Sequence, residues 1–519
     1  VILIYLFDFY SSNIVPECIF VPIFLIAKAF SVILAQRYDK IYICTYFNMK
    51  NFLDQRIFQI ITQVCGEEDT EAYVVGGFVR DRFLGRDSKD IDIVVVGDGI
   101  EMAQKVARKI RPGLKVVSYR NFGTAMFRFH GMEIEFAASR KESYKADSRK
   151  PKVFAATLEE DMQRRDFTIN ALAIGLHPKN HGQLIDPFNG QEDIRRRIIR
   201  TPLDPVHTFS DDPLRMIRAI RFATRLNFHI EEKTLAGIRE NAERLKIISA
   251  ERIAEELTKI LQAEKPSVGF RLLDSTGLLS VFLPELSQLK GVEAIDGRMH
   301  KDNFQHTLMV LDNVAGVSEN IWLRWAALLH DIAKPASKKF VPGQGWTFHG
   351  HEYLGAKMVP GIFRRLRLPM GAEMRFVQKM VALHLRPIVL ASEDVTDSAV
   401  RRLLFEAGDD IDQLMTLCEA DITSKNDRLR AIYRANFALV RKKLKEIEEK
   451  DAVRNFQPPV SGEDIMQYFG IPPCREVGII KNAIKEAILD GVIKNNREEA
   501  WRYMLEKGKE LGLTPVTKT

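Results

Sequence analysis

The feature that most constrains this chain is the stretch Tyr73–Val96, which reads YVVGGFVRDRFLGRDSKDIDIVVV. A short apolar run breaks at two adjacent glycines, continues as an amphipathic segment and ends in an alternating run. This order predicts a strand, a glycine turn, a short helix and a second strand. Asp90 and Asp92 stand two residues apart on the second strand, so their side chains leave the same face of the sheet.

Two carboxylates on one strand face can hold a hard cation such as Mg²⁺, which prefers oxygen ligands. The adjacent Gly76 and Gly77 permit close backbone approach and lead into a helix, which suits a triphosphate. Together these features indicate phosphoryl or nucleotidyl transfer. Glu135 shares a face with Glu133 on a strand predicted at residues 132–137. It is either a third carboxylate near the metal ions or an ordinary solvent-facing acid, and both interpretations stay open.

Two further charged motifs allow both a structural and a functional interpretation. The RRD cluster at residues 164–166 is either a solvated charge run or a pair of phosphate-binding arginines with an aspartate for a ribose hydroxyl. Asp212 and Arg215 are three residues apart near the start of a helix predicted over residues 209–226, where they share a face. They form either a helix cap with an ion pair, or an acceptor and donors for the edge of a nucleobase.

Composition limits the setting of the protein. The 519 residues are 46% hydrophobic and 28% charged, as expected for a globular protein of several domains. A formal charge of +7 permits a polyanionic partner without establishing one. The five scattered cysteines form no CxxC pair, which favours a reducing, cytoplasmic setting. Residues 1–48 are strongly apolar, but Pro22 and Lys28 interrupt their longest apolar stretch, so we expect an extension without a catalytic role and no lasting membrane association.

Five segments in the first half resemble the class II tRNA nucleotidyltransferases and bacterial poly(A) polymerases, whose head is of the DNA polymerase β type. They are GGFVRDRFLGRDSKDIDI, RRDFTINALA, LIDPFNG, DDPLRMIRAIRFA and SAERIAEEL, in the family's order. The resemblance implies that Asp90 and Asp92 are catalytic and hold Mg²⁺. It also implies a set of nucleotide-binding residues, with Gly76, Gly77 and Arg80 at the triphosphate, Arg165 and Asp166 near the sugar and phosphates, and Asp212 and Arg215 as the protein template that selects CTP or ATP.

The template segment departs from the family pattern at one position. The family motif commonly begins with Glu-Asp, whereas this chain has Asp211 followed by Asp212. The change shortens a flanking side chain and leaves Asp212 and Arg215 unaltered. The resemblance further implies that Glu251 and Arg252 brace the helices around the template.

A second group of candidate ligands follows in the C-terminal half, mostly in apolar, helical surroundings. One buried histidine is usually satisfied by hydrogen bonds alone, but imidazoles together with carboxylates are the ligand mix of transition metals. The pattern resembles the HD phosphohydrolase superfamily, which implies four ligands for an ion of the Ni²⁺, Mn²⁺ or Co²⁺ type: His306, His330, Asp331 and Asp421. It also implies a second metal or a phosphate at His351 and His384, with His349 as a weaker candidate.

The predicted fold class is therefore α+β, a polymerase-β-like head with a small mixed sheet followed by helical domains. The predicted domains are the extension (1–48), the nucleotidyltransferase head (49–190), a helical neck with the nucleotide-selecting motif (191–265), a helical HD phosphohydrolase domain (266–425) and a helical RNA-binding tail (426–519). Residues 461–491 resemble the C-terminal module of the same transferases, which implies contacts between its basic residues and the tRNA backbone.

These predictions describe a cytoplasmic enzyme that adds CCA to tRNA 3′ ends from CTP and ATP without a nucleic-acid template, by two-metal transfer. In some bacterial relatives the HD domain has phosphatase or cyclic phosphodiesterase activity, and here its ligand set is complete, which favours an active hydrolase. One alternative is a poly(A) polymerase, or a tRNA nucleotidyltransferase that adds only CC or only A. Another, of a different class, is an HD phosphohydrolase whose head merely binds RNA.

Overall fold

The computed structural model describes residues 52–516, apart from residues 54, 89, 121–122, 146–147, 296–297, 300–301, 393–395, 425 and 455. The chain divides into two compact units, Val1–Glu142 with Val153–Ile194, and Ser143–Lys152 with Arg195–Thr519. The extension predicted over residues 1–48 lies outside the described residues. None of the helices described is long and apolar enough to cross a membrane.

The first unit combines a sheet with short helices. In chain order the elements up to residue 196 are α1 (Arg56–Glu67), β1 (Ala72–Val75), α2 (Gly77–Phe83), β2 (Asp90–Val95), α3 (Gly99–Ile110), β3 (Val117–Tyr119), β4 (Thr124–Phe129), β5 (Met132–Ala138), β6 (Arg140–Lys145), β7 (Ser148–Ala155), α4 (Leu158–Gln163), β8 (Ala173–Gly175), β9 (Leu184–Ile185) and α5 (Gly190–Arg196). Within β6 and β7, residues 143–145 and 148–152 belong to the second unit. Seven strands form one sheet in the order β3-β4-β5-β2-β1-β8-β9. Its β2–β5 pair is parallel and the β1–β2 pair antiparallel, so the predicted mixed sheet is confirmed.

The strand–turn–helix–strand prediction for residues 73–96 is confirmed by β1, α2 and β2. The apolar residues of β2, including Ile91 and Ile93, are buried, whereas Asp90 and Asp92 reach solvent. Period-two alternation therefore puts both carboxylates on the open face of a central strand. Gly76, between β1 and α2, has a φ of 71°, a left-handed conformation that glycine adopts without a steric penalty.

The helix α3 lies close against β5. A Cβ at Gly99, its first residue, would come within 2.8 Å of the backbone of Ala137, so a larger side chain would push the helix away from the sheet. Asp98 caps this helix by accepting hydrogen bonds from the backbone N–H groups of Ile100 and Glu101. A cap and a close glycine contact thus fix the segment that follows the aspartate strand.

One segment differs from its prediction. The polar, basic composition of residues 144–153, YKADSRKPKV, predicts a mobile loop, but residues 144–145 lie in β6 and residues 148–153 in β7, which pair as a separate two-stranded sheet. The faces of an antiparallel two-stranded sheet can be exposed to solvent, so a polar composition does not exclude strands here.

The second unit is mainly helical. Its elements are β10 (Ile198–Ile199), α6 (Pro205–Asp211), α7 (Leu214–Leu226), β11 (His229–Ile230), α8 (Glu232–Asn241), α9 (Ala250–Leu261), α10 (Pro266–Ser275), α11 (Leu278–Phe282), α12 (Pro284–Ser287), β12 (Ala294–Ile295), β13 (Arg298–Met299), α13 (Asn303–Ala315), α14 (Ile321–Leu329), α15 (Lys334–Ser337), β14 (Lys339–Val341), β15 (Gly345–Thr347), α16 (His351–Arg365), α17 (Ala372–Leu383), α18 (Arg386–Ser392), α19 (Asp397–Ala407), α20 (Ile411–Ala420), α21 (Asp427–Asp451), α22 (Gly462–Phe469), α23 (Arg475–Asp490) and α24 (Arg497–Glu510). Its short strands form two-stranded pairs.

The single helix predicted over residues 209–226 is wrong, because the chain breaks between α6 and α7. Asp212 has extended backbone angles, φ −132° and ψ 95°. It precedes Pro213, whose ring disfavours the helical conformation of the residue before it. Asp212 and Arg215 therefore do not share a helix face, since only Arg215 lies within a helix.

A buried arginine joins the end of α9 to the first helices of the HD region. Arg324 on α14 is 6% exposed. Its guanidinium donates to the carbonyls of Leu261 (2.6 Å) and Ala263 (3.1 Å) after α9, and to those of Ala315 (3.2 Å) and Ser318 (3.0 Å) after α13. The carbonyls at a helix C-terminus lack partners within the helix, so this one side chain satisfies the ends of two helices.

Replacing Arg324 with methionine should lower the free energy of unfolding of this region by about 3 kcal/mol, because buried carbonyls lose a charged donor. Urea unfolding followed by tryptophan fluorescence reports on it, since three of the four tryptophans lie between residues 322 and 346. The matched control is Arg364→Met at an exposed position of α16, where a change within about 0.5 kcal/mol is expected. Equal losses in both variants would contradict the role of Arg324.

Candidate functional site

Carboxylates on adjacent strands of the first unit lie side by side. In the parallel register of β2 and β5, Asp92 is opposite Glu135 and Asp90 is opposite Glu133. Solvent reaches Asp92, yet desolvation by the surrounding protein raises its pKa, Arg165 opposes that rise and Asp90 adds to it. Desolvation and the charge of Asp92 also raise the pKa of Glu135. The three carboxyls Asp90, Asp92 and Glu135 therefore carry negative charge that a divalent cation would relieve.

The turn at Gly76 faces the same carboxylates. A Cβ at Gly76 would lie 3.2 Å from Nη1 of Arg165 and 3.7 Å from Oδ2 of Asp92. The glycine, the arginine and the aspartate thus border one small space, and any side chain at position 76 would enter it. Gly77 begins α2 directly beside this turn.

Arg80 and Asp166 belong to one buried network. Arg80 is 9% exposed, and its Nη1 donates to Oδ1 of Asn170 at 2.7 Å while its Nε donates to Asp81 at 2.9 Å. The Nδ2 of Asn170 donates in turn to Asp166 at 2.9 Å. Asn170 therefore connects two of the predicted nucleotide-binding residues. The sequence analysis did not single it out, although it lies within the RRDFTINALA segment.

Asp161 is a second residue that the sequence analysis missed. It is fully buried, and its carboxylate accepts hydrogen bonds from Arg164 at 2.5 Å and Arg165 at 3.0 Å. The sequence indicates this contact only by spacing. Arg164 and Arg165 follow Asp161 by three and four residues, which is the spacing of interacting side chains on a helix. Because Asp161 holds one edge of the Arg165 guanidinium, the other edge is oriented towards Gly76 and Asp92.

In the second unit, Asp212 comes directly before Pro213, the N-cap position of α7. Its Oδ1 accepts a hydrogen bond from the backbone N–H of Leu214 at 3.2 Å. Its Oδ2 lies 3.7 Å from Nη2 of Arg252 on α9. Arg215 lies in the first turn of α7, and its backbone N–H donates to the carbonyl of Asp212 at 3.0 Å. Asp212 is therefore an acceptor beside the start of α7 and not its N-cap. Arg252 lies near its carboxylate, whereas Glu251 lies 3.8 Å from Arg367.

All six strong HD candidates converge in the second unit. The possible ligands form two groups: His306 with His330 and Asp421, and Asp331 with His351 and His384. Within each group the ligand atoms lie within 4.8 Å of one another. Asp331 joins the groups, since its Oδ2 lies 3.2 Å from Nε2 of His330 and its Oδ1 lies 3.2 Å from Nε2 of His351. His349 is exposed and belongs to neither group.

Hydrogen bonds fix which ring nitrogen of the buried histidines is free. The Nδ1 atoms of His330, His351 and His384 lie 2.7–2.8 Å from backbone carbonyls. A carbonyl can only accept, so each Nδ1 donates a proton, and in the neutral imidazole each Nε2 offers a lone pair. All three Nε2 atoms are buried without a hydrogen bond of acceptable geometry. This is the arrangement of metal-binding histidines, whose second nitrogen is held by the backbone.

The charges of this cluster fit a metal centre. Burial is the largest cause that lowers the pKa of His384 to about 4, so this imidazole is neutral and able to bind a metal. Burial alone would raise the pKa of Asp421, but His306 and His330 lower it to about 2. His330 and His351 likewise hold the pKa of Asp331 well below its usual range against the effect of burial. The residues present can therefore hold divalent ions.

Lys334 is a further residue of the HD cluster that the sequence analysis did not name. Its Nζ donates to Oδ2 of Asp331 at 2.6 Å. It stands three residues after the His-Asp pair, and this spacing was the only signal in the sequence. Lys334 therefore places a positive charge beside the bridging carboxylate.

Comparison with known families accounts for most of the described chain. Residues 72–200 match the poly A polymerase head domain, residues 227–289 the probable RNA and SrmB-binding site of polymerase A, and residues 303–432 the HD domain. A CCA-adding enzyme of Geobacillus sp. is 32% identical over 454 residues, which cover 86% of this chain and 96% of that protein. The chain belongs to the tRNA nucleotidyltransferase and poly(A) polymerase family.

Another relative of this chain is named for a different nucleotide addition. An A-adding tRNA nucleotidyltransferase of Deinococcus radiodurans is 32% identical over 351 residues, which cover 66% of this chain and 77% of that protein. Among solved structures, an apo form of a CCA-adding enzyme matches with a TM-score of 0.58 at 25% identity, covering 86% of this chain and 94% of that one. The polymerase-β-like head, helical neck and HD domain expected for a nucleotidyltransferase of this family are therefore confirmed.

Proposed function

We propose that this nucleotidyltransferase adds CCA to the 3′ end of tRNA from CTP and ATP, in the cytoplasm and without a nucleic-acid template. The observation that carries the proposal is the carboxylate cluster of Asp90, Asp92 and Glu135 beside the turn at Gly76. Oxygen ligands on an open strand face suit Mg²⁺. The extensive match to a CCA-adding enzyme supports tRNA as the substrate.

The proposed transfer is an in-line displacement. The 3′ oxygen of the RNA forms a bond to the α-phosphorus of the nucleotide, and the bond to the pyrophosphate oxygen breaks. Mg²⁺ held by the carboxylates would supply charge to lower the pKa of the 3′ hydroxyl and to stabilise the leaving pyrophosphate. Asp90 and Asp92 hold these ions, with Glu135 as a third carboxylate. Arg165, oriented by Asp161, donates to the phosphates.

Base selection is assigned to Asp212 and Arg215. Cytosine and adenine each present an exocyclic amino donor next to a ring-nitrogen acceptor. A carboxylate accepts from that amino group while a guanidinium donates to the ring nitrogen. Uracil and guanine present a carbonyl and a ring N–H at the same edge, so the same pair rejects them. The hydrogen bond from Leu214 and the nearby Arg252 keep the Asp212 carboxylate in a fixed position.

Asp212→Ala should reduce the preference for CTP over UTP by roughly 10- to 100-fold, because one of the paired base contacts is lost. Single-nucleotide incorporation on a tRNA that ends before CCA, with each triphosphate offered alone, measures this ratio. Asp211→Ala, at the exposed neighbouring position, should keep the wild-type ratio. An unchanged preference in Asp212→Ala would assign base selection to other residues.

For the HD domain we propose a phosphohydrolase that depends on Ni²⁺, Mn²⁺ or Co²⁺. His306, His330, Asp331 and Asp421 are the proposed primary ligands. The buried Nε2 atoms of His330 and His351, each 3.2 Å from Asp331, support a metal site. An ion held by these residues would supply a water nucleophile at neutral pH and would polarise the phosphate. Lys334 then contributes positive charge on the phosphate side of Asp331.

The similarity to an A-adding tRNA nucleotidyltransferase supports a second candidate function, the addition of A alone. That protein is 32% identical over 351 residues, so overall similarity alone does not separate CCA addition from addition of A. Addition of only A to a tRNA already ending in CC would support that function.

A further inference from the structure

The side chain of Asn170 lies between the residue implied at the triphosphate and the one implied at the sugar. Its Oδ1 accepts a hydrogen bond from Nη1 of Arg80 at 2.7 Å, and its Nδ2 donates to Oδ1 of Asp166 at 2.9 Å. All three side chains are buried. Because a guanidinium only donates and an ionised carboxylate only accepts, the amide can make both bonds in one orientation alone. Arg80 thus determines which end of the amide faces Asp166.

Arg80 is itself held in place. Its Nε and Nη2 donate to the two oxygens of Asp81 at 2.9 and 3.0 Å, the paired geometry that gives an arginine–carboxylate contact its directional specificity. The third nitrogen, Nη1, is the one that contacts Asn170. Asp81, Arg80, Asn170 and Asp166 therefore form one chain of hydrogen bonds, in which each member orients the next.

The backbone around Asn170 is also fixed. Asn170 ends a single 3₁₀ turn that begins at Thr168. The hydroxyl of Thr168 donates to the carboxylate of Asp193 at 2.6 Å, and both side chains are buried. The backbone N–H of Phe167 donates to Oδ1 of Asp166 at 2.9 Å, the same oxygen that receives the amide of Asn170. Two donors from one rigid turn therefore hold this oxygen of the Asp166 carboxylate.

We propose that Asn170 is a positioning residue on which the selection of ribonucleotides over deoxyribonucleotides depends. It holds the Asp166 carboxylate where that group accepts a hydrogen bond from the ribose 2′-hydroxyl. This inference rests on the nucleotidyl transfer proposed above and on the place near the sugar that the family resemblance implies for Asp166. A hydrogen bond weakens steeply when its geometry is lost, so a carboxylate without this support binds the hydroxyl less well. A deoxyribose lacks the hydroxyl, so the position of Asp166 matters for CTP and not for dCTP.

The variant Asn170→Asp tests one of the two bonds of the amide. In mildly alkaline buffer the new carboxylate still accepts from Arg80, but it has no N–H group for Asp166. The ratio of kcat/KM for CTP over dCTP should fall about tenfold, the factor that one ordinary hydrogen bond carries, with the loss confined to CTP. Single-nucleotide incorporation on a tRNA that ends before CCA measures both values. Equal losses with CTP and dCTP would show a purely structural role and overturn the proposal.

The matched control is Asn189→Asp, the same chemical change at an exposed position of the same unit. Asn189 has a φ of 57°, a left-handed conformation that aspartate also adopts. This variant should keep the wild-type ratio. Pyrophosphate should inhibit Asn170→Asp as strongly as the wild type, because an oxygen at position 170 still accepts from Arg80, and this inhibition also shows that the site is folded. Loss of the inhibition would overturn the assignment of Asn170 to the sugar.

A double-mutant cycle shows whether Asn170 acts through Asp166. When Asp166 is already alanine, Asn170→Asp should leave the ratio of CTP to dCTP within about twofold, because no carboxylate remains to be positioned. A further fall of about tenfold would mean that the two residues act independently, against the proposal. Absence of nucleotide addition by the wild type would reject the nucleotidyl transfer itself. Normal addition by the wild type with an unchanged ratio in Asn170→Asp would reject only the role of Asn170.

Discussion

Asp92→Ala should slow nucleotide addition to tRNA by about a thousandfold, and Asp90→Ala should do the same. This loss corresponds to roughly 4 kcal/mol of transition-state stabilisation, the scale expected when a metal-binding carboxylate is removed. Desolvation, and to a smaller extent the charge of Asp90, raises the pKa of Asp92, and a bound cation would favour its ionised form. Incorporation of labelled CTP into a tRNA lacking its 3′ end measures the effect.

The control for this prediction lies on the neighbouring strand. Glu133 is opposite Asp90 in register and lies 3.5 Å from the exposed Arg128. Glu133→Gln should keep activity within about threefold, since no metal role is assigned to it. Retained phosphohydrolase activity in Asp92→Ala would show that the rest of the chain is folded. Full nucleotide addition by Asp92→Ala would refute the assignment, and equal losses in Glu133→Gln would indicate damage to the sheet.

The second large effect is expected at the HD centre. Asp331→Ala should reduce metal-dependent phosphate release by about a thousandfold, because its two oxygens contact both histidine groups. Asp331→Asn retains the shape of the side chain and should lose the same activity. Mn²⁺ binding measured by titration calorimetry should weaken in both variants.

The expected pattern is selective. Both Asp331 variants should add nucleotides to tRNA at nearly the wild-type rate, because the carboxylates assigned to transfer lie in the first unit. Asp409→Ala, at an exposed position before α20, should retain both activities. Full phosphate release by Asp331→Asn would show that the metal cluster is not the hydrolytic centre.

Local patterns predicted those parts of the fold in which side-chain periodicity and turn residues agree. The alternation Asp90–Val94 specified a strand and the face of its carboxylates, and Gly76 specified the turn. The helix across Asp212 was predicted wrongly because apolar spacing was given more weight than Pro213, although a proline restricts the residue before it.

Other features of the sites depend on contacts between distant residues. Asn170 meets Arg80 across 90 positions of sequence, and Tyr433 reaches a cavity shared with His306. Contacts between residues so far apart leave no periodic pattern in the sequence, so they could not be predicted from residue spacing. By contrast, the HD ligands are distant in sequence but were predicted together, because the resemblance to the HD phosphohydrolase superfamily implies them as a set.

The central claim is tested most directly by the products formed on a tRNA that ends before CCA. The wild-type chain is incubated with Mg²⁺ and with CTP, ATP or both, and the 3′ ends are sequenced. The account predicts addition of two C residues with CTP alone, and C, C and A, with no further addition, when both nucleotides are present. A long A tail would instead identify a poly(A) polymerase, and no addition despite phosphate release would contradict nucleotidyl transfer altogether.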